Sequence, residues 1–415
     1  MTNAADFQTN LPPSIPTSTD AAAYAIDGLT PSLLVTPTTQ ADVAAVVAAA
    51  NAAGAAVVPW GGGTQQALGM PPERYDIALD LRKLDRVVEY ESADLTVTIE
   101  SGMPLLALQT TLSAHGQWLR LDPDLPPEAT VGGILATNAS GPARLAHGAA
   151  RDQLIGISFV TPEGELVKAG GRVVKNVAGY DLGKLQIGAL GTLGVIVQAS
   201  FKVAPLPTSV RSASKDGTLQ DVMSISSRLL DAGLPLQASI LTKRSASSDW
   251  SLLARFAGGN AAVDRSMRDF DALADLKLPY GEWIGVQWTA LPGNATRQSV
   301  PAGPAVVARA AIPTTAAQPV CEAFAAAGAA VTAYPGVAIV YGAWDKAPDA
   351  ATLTKLRDLC VQHEGALILE HAPIDLKRSV GVWGAPRNDI ELMRRVKATL
   401  DPNRTLNPGR YIGAI

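Results

Sequence analysis

The sequence predicts an α+β protein built from two successive parts that meet near residue 207. Helical periods and short β-branched runs alternate in both parts, which is typical of sheets covered by helices. Glycine is concentrated in the first part: the 134 residues from Gly61 to Gly194 hold 19 glycines, and the other 281 residues hold 18. The run Pro205-Leu206-Pro207 then interrupts any regular element, so we place the boundary there.

Composition and charge exclude several classes of protein. The 415 residues are 47% hydrophobic and 17% charged, which indicates a buried core and excludes a disordered chain. A net charge of −4 gives no electrostatic reason to expect nucleic acid as a partner. The two cysteines, Cys321 and Cys360, are too few for a disulfide framework, a tetrahedral thiolate metal site or an iron–sulfur cluster.

The sequence predicts neither secretion nor a direct membrane span. No run of about 18 strongly apolar residues occurs, which is the length that a spanning helix needs. The first basic residue is Arg74, whereas a secretory signal begins with positive charge. We therefore expect a cytoplasmic protein.

The first part opens with a helix, a strand and a glycine loop. Residues 38–42 offer a hydroxyl N-cap and an acidic first turn, and apolar residues follow at helical spacing from Val43 to Ala50. Gly54 suits the end of this helix. Val57 and Val58 then predict a short buried strand, which residues 59–65 interrupt.

The remaining elements of the first part follow in order. We predict three short strands at residues 77–81, 86–90 and 95–100, followed by a helix at 104–115. A hairpin of residues 154–160 and 165–169 and a long strand at 194–203 complete this part. Pro104 suits the first turn of the helix, and Gly116 closes it. Pro162 and Gly164 occupy the second and fourth positions of a type I turn in the hairpin.

After residue 207, apolar strands alternate with alanine-rich helices. We predict strands at residues 236–241, 250–256, 305–312, 337–341 and 366–370. The tail from Leu400 to Tyr411 is polar and irregular, and the chain contains no internal repeat.

The run Gly61-Gly62-Gly63-Thr64 is a candidate phosphate-binding loop. It lacks the lysine of the Walker A motif and the glycine spacing of the Rossmann fingerprint. A third possibility is a dinucleotide loop in which successive backbone N–H groups converge on a pyrophosphate, with no side chain to block the approach. A plain turn would show the same residues, so the loop alone leaves both interpretations open.

Two later groups of small residues favour phosphate binding. In residues 129–141, paired glycines are followed by small residues that extend into a helix, which would let a flat group pack against it. Residues 188–196 again combine glycines with small residues, just before a strand. Three hydrogen bonds from N–H groups to charged oxygens contribute roughly 5–9 kcal/mol, whereas association costs about 4–15 kcal/mol. One loop therefore cannot hold a dinucleotide alone, and several segments must contribute.

With these motifs the chain resembles the FAD-binding oxidases and dehydrogenases of the vanillyl-alcohol oxidase (PCMH) type. The loop at 59–64 looks like the pyrophosphate loop of that family, residues 129–141 look like its second FAD segment, and residues 191–196 look like the strand that meets the flavin. Asn-Pro-Gly-Arg at 407–410 looks like the C-terminal return to the flavin, where the family usually has Asn-Pro-Gly-Lys.

The resemblance implies the fold and the cofactor. It implies a PCMH-type FAD-binding domain of two subdomains, followed by a smaller α+β cap domain. We expect an N-terminal extension at 1–29, the FAD-binding domain at 30–207, the cap at 208–398, and a segment at 399–415 that returns to the FAD-binding domain. The residues that it implies for FAD binding are Pro59, Trp60, Gly61, Gly62, Gly63, Thr64, Gln65, Thr130, Val131, Gly132, Gly133, Thr137, Asn138, Ser140, Gly141, Gly194, Ile196 and Asn407.

The mode of FAD attachment follows from residue types. Covalent attachment in this family uses histidine or cysteine. Residues 59–65 contain neither, and no cysteine precedes Cys321. We therefore predict non-covalent FAD.

A closer resemblance is to the FAD-binding E subunits of bacterial glycolate oxidase (glycolate dehydrogenase), carried by residues 140–144, 150–152 and 174–182. It implies a hetero-oligomer with a larger FAD-linked catalytic subunit and an iron–sulfur subunit, held at the inner membrane through its partners. Because this sequence has only two cysteines, the iron–sulfur cluster would lie in another chain.

Three residues are candidates for catalysis: Glu370, His371 and Arg309. Oxidation of a 2-hydroxy acid needs a hydride acceptor, a base for the hydroxyl proton and a cation that orients the carboxylate. Glu370-His371-Ala372 lies where catalytic relatives carry Glu-His-Gly, but their further histidines are missing, so we expect no metal site. The pair is either an ordinary strand end or a proton-transfer group, and Arg309 either faces solvent or binds the substrate.

Two functions follow from these observations. The first is the FAD-binding subunit of a glycolate oxidase complex, which passes electrons from glycolate through the flavin to the iron–sulfur subunit. The alternative is a flavin-carrying electron-transfer or interaction subunit without a substrate site of its own. The altered Glu370-His371 region favours the alternative, and the FAD motifs support both.

Overall fold

The computed structural model describes residues 11–171, 181–245, 248–274, 305–385 and 388–415.

The chain begins with a small sheet and one helix that packs on it: β1 (Thr17–Ser18), β2 (Leu33–Val35), α1 (Gln40–Ala53), β3 (Val57–Trp60) and β4 (Ile77–Asp80). The four strands have the order β1-β2-β4-β3. Strands β2, β3 and β4 are parallel. The predicted helix ends are confirmed, because Thr39 and Asp42 form a capping box and Gly54 is left-handed.

A second sheet is antiparallel and has the order β5-β6-β10-β8-β9. Its strands, the separate pair β7–β11 and the helices around them are β5 (Val87–Glu91), β6 (Thr96–Glu100), α2 (Leu105–Ser113), β7 (Gln117–Trp118), α3 (Val131–Thr137), α4 (Arg144–His147), α5 (Ala150–Gln153), β8 (Leu154–Val160), β9 (Leu166–Gly170), α6 (Leu182–Gln186), β10 (Val195–Lys202) and β11 (Ala204–Pro205). Val160 and Val195 of this sheet share a core with Val43 and Val47 of α1, so α1 joins the two sheets.

The second part of the chain forms a seven-stranded antiparallel sheet in the described residues, with the order β12-β14-β13-β16-β17-β15-β18. Its elements are β12 (Ser209–Gly217), α7 (Leu219–Asp231), β13 (Leu236–Lys243), β14 (Trp250–Gly258), α8 (Asn260–Leu273), β15 (Val306–Ala311), α9 (Ala317–Ala326), β16 (Ala330–Tyr334), β17 (Ile339–Trp344), α10 (Ala350–Gln362), β18 (Ala366–His371) and α11 (Ile374–Val380). We call this part the cap.

Every strand predicted after residue 207 is present, but the described residues contain two further strands that were not predicted. Strand β12 is polar and lies at an edge of the sheet, so its residues lack a clear apolar pattern. Strand β16 is five residues long and contains two alanines, which are poor strand formers. The cap helices cover one face of the sheet, where Val306, Ala308 and Ala310 of β15 are buried against them.

The tail packs against the first sheet. Helix α12 (Ile390–Leu400) precedes it, and the Val57 N–H donates to the carbonyl of Thr405 while the Asn407 N–H donates to the carbonyl of Val57, both at 2.8 Å. Lys397 is buried, and its Nζ donates to Asp401 Oδ2 at 2.6 Å and to the carbonyl of Thr192 at 2.7 Å. The tail is therefore held between β3 and the third glycine group.

Of the helices that the structure describes, none combines the length and the apolar character needed to cross a lipid bilayer.

Candidate active site

The first glycine loop follows β3 and packs against the segment that precedes α3. A Cβ atom added at Gly61 would lie 2.0 Å from Thr130 Oγ1, and one added at Gly62 would lie 1.9 Å from the carbonyl oxygen of Glu128. Gly63 has a φ of +72°, a conformation that glycine adopts without strain. Packing of the loop against neighbouring side-chain and backbone atoms therefore requires glycine at these positions, whether or not a phosphate also approaches them.

The second glycine segment is shaped by α3. The Thr130 side chain caps this helix by accepting a hydrogen bond from the Gly133 N–H at 3.3 Å, and Asn138 ends it in the left-handed conformation. The Thr137 hydroxyl donates to Gln65 Oε1 at 2.5 Å. This hydrogen bond links α3 directly to the first glycine loop.

A crevice of about 90 Å³ lies between these segments, the third glycine group and the tail. Most of the residues implied for FAD binding line it: residues 59–65, Thr130, Gly132, Gly133, Thr137, Gly194, Ile196 and Asn407. Val131 is instead buried in the core beneath α3, and a Cβ at Gly141 would lie 1.8 Å from the carbonyl oxygen of Asp122. These last two residues shape the crevice without lining it.

Several buried polar atoms around the crevice have no hydrogen-bond partner among the described residues: Ser101 Oγ, Asn407 Oδ1, Arg410 Nε and Arg410 Nη1. Arg410 is only 2% exposed, and burial lowers its pKa to about 10, so it remains a cation at neutral pH. Buried polar groups are normally paired. The N–H groups of Arg410 and the hydroxyl of Ser101 can donate, so they fit an anionic ligand such as the diphosphate of FAD, whereas Asn407 Oδ1 only accepts and fits a donor group of the same ligand.

Sequence reasoning missed Arg410 as a site residue. The Asn-Pro-Gly-Arg motif at 407–410 was the signal that could have identified it, but only Asn407 was included.

A larger cavity of about 270 Å³ adjoins the crevice, and Gln65, Leu68, Thr137 and Leu190 line both spaces. Asn138 and Ser140, which were implied for FAD binding, line this cavity rather than the crevice. The opposite wall is the face of the cap sheet that the cap helices leave uncovered. The two spaces together form one continuous candidate site between the first part of the chain and the cap.

Strand alternation decides which cap residues face the cavity. On each strand the lining residues are two apart, as the period of a β-strand requires: Thr332 and Tyr334 on β16, Ile339 and Tyr341 on β17, Arg309 on β15, and Ile368 and Glu370 on β18. Arg309 is directly opposite both Tyr341 and Ile368 in the ladder. Four strands thus present one row of side chains to the cavity.

An ion pair stands in this row. Arg309 Nε donates to Glu370 Oε1 at 2.8 Å, and the Glu370 side chain is 8% exposed. Burial lowers the pKa of Arg309, but Glu370 and Tyr341 raise it by more, so the net shift is upward and the guanidinium stays charged. Of the two alternatives for Arg309, the structure places it at the cavity rather than in solvent.

The structure separates His371 from Glu370. Because neighbouring residues of a strand point to opposite faces, His371 is exposed at the end of β18 and does not line the cavity. Among the described residues, no group of three or more His, Cys, Asp or Glu side chains is placed to hold a metal ion. Residues 174–180 of the motif at 174–182 lie outside the described residues.

Tyr334 is a cavity residue that sequence reasoning missed, because strand β16 was not predicted. It is 4% exposed, and its hydroxyl makes no hydrogen bond within the part of the chain that the structure describes. Burial, together with nearby Tyr341 and Asp124, raises its pKa well above the usual value. The hydroxyl therefore stays protonated and is available as a donor to a ligand in the cavity.

Two family models match the chain in order. The model of an FAD binding domain matches residues 31–170, and the model of the C-terminal domain of FAD linked oxidases matches residues 322–411. Together they cover more than half of the chain. FAD is the cofactor that both models name, in agreement with the unpaired polar atoms of the crevice.

Curated relatives match the chain over different lengths. The chain is 32% identical to the glycolate oxidase subunit GlcE of Escherichia coli over 54% of this chain and 65% of that protein. It is 25% identical to the glycolate oxidase subunit GlcD of Bacillus subtilis over 92% and 88% of the two chains. It is also 31% identical to a mitochondrial D-lactate dehydrogenase of Arabidopsis thaliana, over 49% of this chain and 36% of that protein.

The similarity is partial in length for several of these relatives. The chain spans 65% of the length of GlcE and between 36% and 39% of the next curated relatives. Among solved structures, an alkyldihydroxyacetonephosphate synthase matches with a TM-score of 0.68 at 18% identity, over 91% of this chain and 76% of that one. This likeness supports the α+β fold, and the match to the FAD binding domain model identifies the first part as the FAD-binding domain.

Proposed function

This chain belongs to the FAD-linked oxidoreductases with a PCMH-type FAD-binding domain, and we propose that it is the FAD-binding subunit of a complex that oxidises a small 2-hydroxy acid, glycolate. The chain is an FAD-dependent oxidoreductase. Similarity to glycolate oxidase subunits and to D-lactate and D-2-hydroxyglutarate dehydrogenases supports the substrate class.

The observation that carries this proposal is the Arg309–Glu370 ion pair on a cavity that adjoins the FAD crevice. The guanidinium of Arg309 keeps the carboxylate of Glu370 ionised and in one orientation, and an ionised carboxylate can accept a proton. The cavity also presents Arg144 on the opposite wall, and no carboxylate of the described residues forms an ion pair with it. Arg144 is suited to bind the carboxylate of the acid.

Each group has a distinct role in the proposed reaction. Bound FAD supplies a hydride acceptor. The first glycine loop, the start of α3, Asn407 and Arg410 hold its nucleotide. Glu370 accepts the proton of the substrate hydroxyl, Arg309 orients the carboxylate of Glu370 through the Nε–Oε1 hydrogen bond, and Tyr334 donates a hydrogen bond to the substrate.

We propose that FAD is bound without a covalent bond. In the described part of the chain, no histidine or cysteine lines the crevice or the cavity. Acid precipitation of the purified protein should release all of the flavin into the supernatant. Flavin fluorescence that stays with the polypeptide in a denaturing gel would contradict this prediction.

We also propose that electrons leave through an iron–sulfur partner subunit and that a larger FAD-linked subunit completes the hetero-oligomer. Cys321 and Cys360 are both buried in helices of the cap, and two cysteines are too few to hold a cluster. This assembly would act in the cytoplasm and reach the inner membrane through its partners.

The experiment is anaerobic reduction of the bound flavin. Glycolate or D-lactate is added to the isolated protein without oxygen, and the absorbance near 450 nm is followed. We expect bleaching, which Glu370→Gln should slow by about 10²–10⁴-fold because the general base is lost. The matched control is Glu163→Gln, an exposed turn residue that lines neither the cavity nor the crevice, and this variant should bleach at the wild-type rate.

The alternative function predicts a different result in the same experiment. If the chain carries flavin only to transfer electrons, neither acid will bleach it until the partner subunit is added. If the isolated protein contains its full amount of flavin and neither acid reduces it, the alternative function would replace the first proposal. The observation in favour of the alternative is that no histidine lines the described cavity.

A further inference from the structure

A buried group of charges beside the crevice contains more cations than carboxylates. Lys377 of α11 is fully buried, and its Nζ lies 2.9 and 2.8 Å from the two carboxylate oxygens of Asp27. Arg410 interacts electrostatically with both of these residues. Tyr75 also faces Arg410, and burial raises its pKa, so its hydroxyl stays neutral. Two cations thus share one carboxylate in this group.

The carboxylate of Asp27 is already engaged by Lys377, which leaves Arg410 without a charged hydrogen-bond partner among the described residues. Its Nη2 donates to the carbonyls of Gln66 and Leu68 at 2.8 and 2.7 Å. Its Nε and Nη1 are buried and donate to nothing in the described structure. A buried cation with unused donors is strongly destabilising unless a ligand completes its contacts.

We propose that Arg410 supplies the counter-charge for the diphosphate of FAD, and that the FAD-free protein is destabilised by this uncompensated cation. Arg410 lines the same crevice as Gly61 and Gly133, where the glycine loops converge. The cation stands where three segments meet: the N-terminal region with Asp27, the cap helix with Lys377, and the tail. Occupation of the crevice by a dianion therefore neutralises the group and stabilises the attachment of the cap and the tail.

The test compares deflavinated full-length wild type with Arg410→Met. We expect FAD to bind the variant about 100-fold more weakly, because charge-assisted hydrogen bonds to the diphosphate are lost. Riboflavin, which has no phosphate, should bind both proteins equally well. The FAD-free variant should melt about 2–5 °C higher than the FAD-free wild type, because the unpaired charge is gone. ADP should raise the melting temperature of the FAD-free wild type and not that of the variant.

Two further variants control the experiment. Arg404→Met alters a tail arginine whose charge is already paired with Glu73 at 2.8 Å, so FAD affinity should not change. Arg410→Lys keeps the charge but loses the forked donors of the guanidinium, so it should lose about 10-fold in FAD affinity, less than Arg410→Met, and still be stabilised by ADP.

Three outcomes would overturn the proposal. They are unchanged FAD affinity in Arg410→Met, an equal loss of riboflavin binding, and a lower melting temperature of the FAD-free variant, which would indicate a purely structural role. If Arg410→Met does not fold, the ADP shift of the wild type and of Arg410→Lys decides, and its absence from both would overturn the proposal.

Discussion

The crevice and the cavity adjoin each other, but the chain builds them in different ways. The crevice is made mainly of backbone from short consecutive motifs, and most of its glycines contact neighbouring backbone or side-chain atoms at distances that leave no room for a Cβ. The cap wall of the cavity is made of side chains from β15 to β18, which alternation brings to one face. Substitutions in the crevice should therefore affect fold and cofactor together, whereas substitutions in the cavity should affect the reaction alone.

The largest expected effect comes from Gly62→Val. The added Cβ would lie 1.9 Å from the Glu128 carbonyl oxygen, and that atom is backbone, so the two glycine segments must separate. We expect less than about 5% of wild-type FAD content and a melting temperature lowered by about 10 °C, in line with the cost of severe overpacking. Flavin absorbance and thermal unfolding measure the two quantities.

A matched control for this substitution is Gly259→Ala. Nothing lies within 4 Å of a Cβ added there, and the backbone needs no positive φ. This variant should retain FAD, and its melting temperature should fall by only about 1–3 °C, because alanine is a poorer N-cap of α8 than glycine. If Gly62→Val lost FAD at an unchanged melting temperature, the glycine would serve the ligand rather than the packing of the two loops.

The contrast explains how much of the site could be predicted from the sequence. The crevice motifs are contiguous, so residues 59–65 and Gly132 to Gly133 were identifiable without a structure. The cavity depends on register across four strands, and one of them, β16, was missed, so Tyr334 could not be identified. The position of Arg309 could not be decided either, because its face depends on its pairing with Tyr341 and Ile368.

Local signals predicted most elements of the fold, and long-range pairing accounts for the remainder. The cap of α1 at Thr39 and its end at Gly54 are encoded by neighbouring residues and are confirmed. The sheet order of the cap places β15 between β17 and β18, and no local pattern specifies this. Arg410 is an intermediate case. Its motif is visible in the sequence, but only the folded chain shows that its Nε and Nη1 atoms are buried without hydrogen-bond partners in the described structure.

A smaller and more selective effect is expected from Tyr334→Phe in the cavity. Its hydroxyl has no hydrogen-bond partner among the described residues, so its removal should leave FAD content unchanged and the melting temperature within about 1 °C of wild type. Loss of one hydrogen bond to the substrate should weaken substrate binding by up to about 10-fold. The concentration dependence of anaerobic flavin reduction measures this change.

Tyr90→Phe is the matched control for the cavity tyrosine. The hydroxyl of Tyr90 donates to Gln117 Oε1 at 2.9 Å, away from the cavity. This variant should lose stability and keep substrate affinity, the reverse of Tyr334→Phe. Equal behaviour of the two variants would remove Tyr334 from the proposed substrate site.

The smallest effect concerns the boundary between the first part of the chain and the cap. His147 of α4 contacts Trp118 edge-on, with ring centroids 5.4 Å apart, and its Nε2 lies 3.2 Å from Gln237 Nε2 of the cap. Burial, assisted by Arg120 and Arg255, lowers the pKa of His147 below its ordinary value of 6.5. Protonation therefore favours the unfolded chain, so this contribution to stability is present above about pH 6.5 and is lost as the pH falls below it.

His147→Gln removes the titrating group and retains hydrogen-bonding capacity toward Gln237. The fall in melting temperature between pH 7.5 and pH 5.5 should consequently be smaller in this variant than in the wild type. His363→Gln, at the C-terminal end of α10, should keep the wild-type pH dependence. If His147→Gln had the same melting temperature as the wild type at both pH values, protonation of His147 would not affect stability. The pH dependence of the melting temperature would then have to come from other groups.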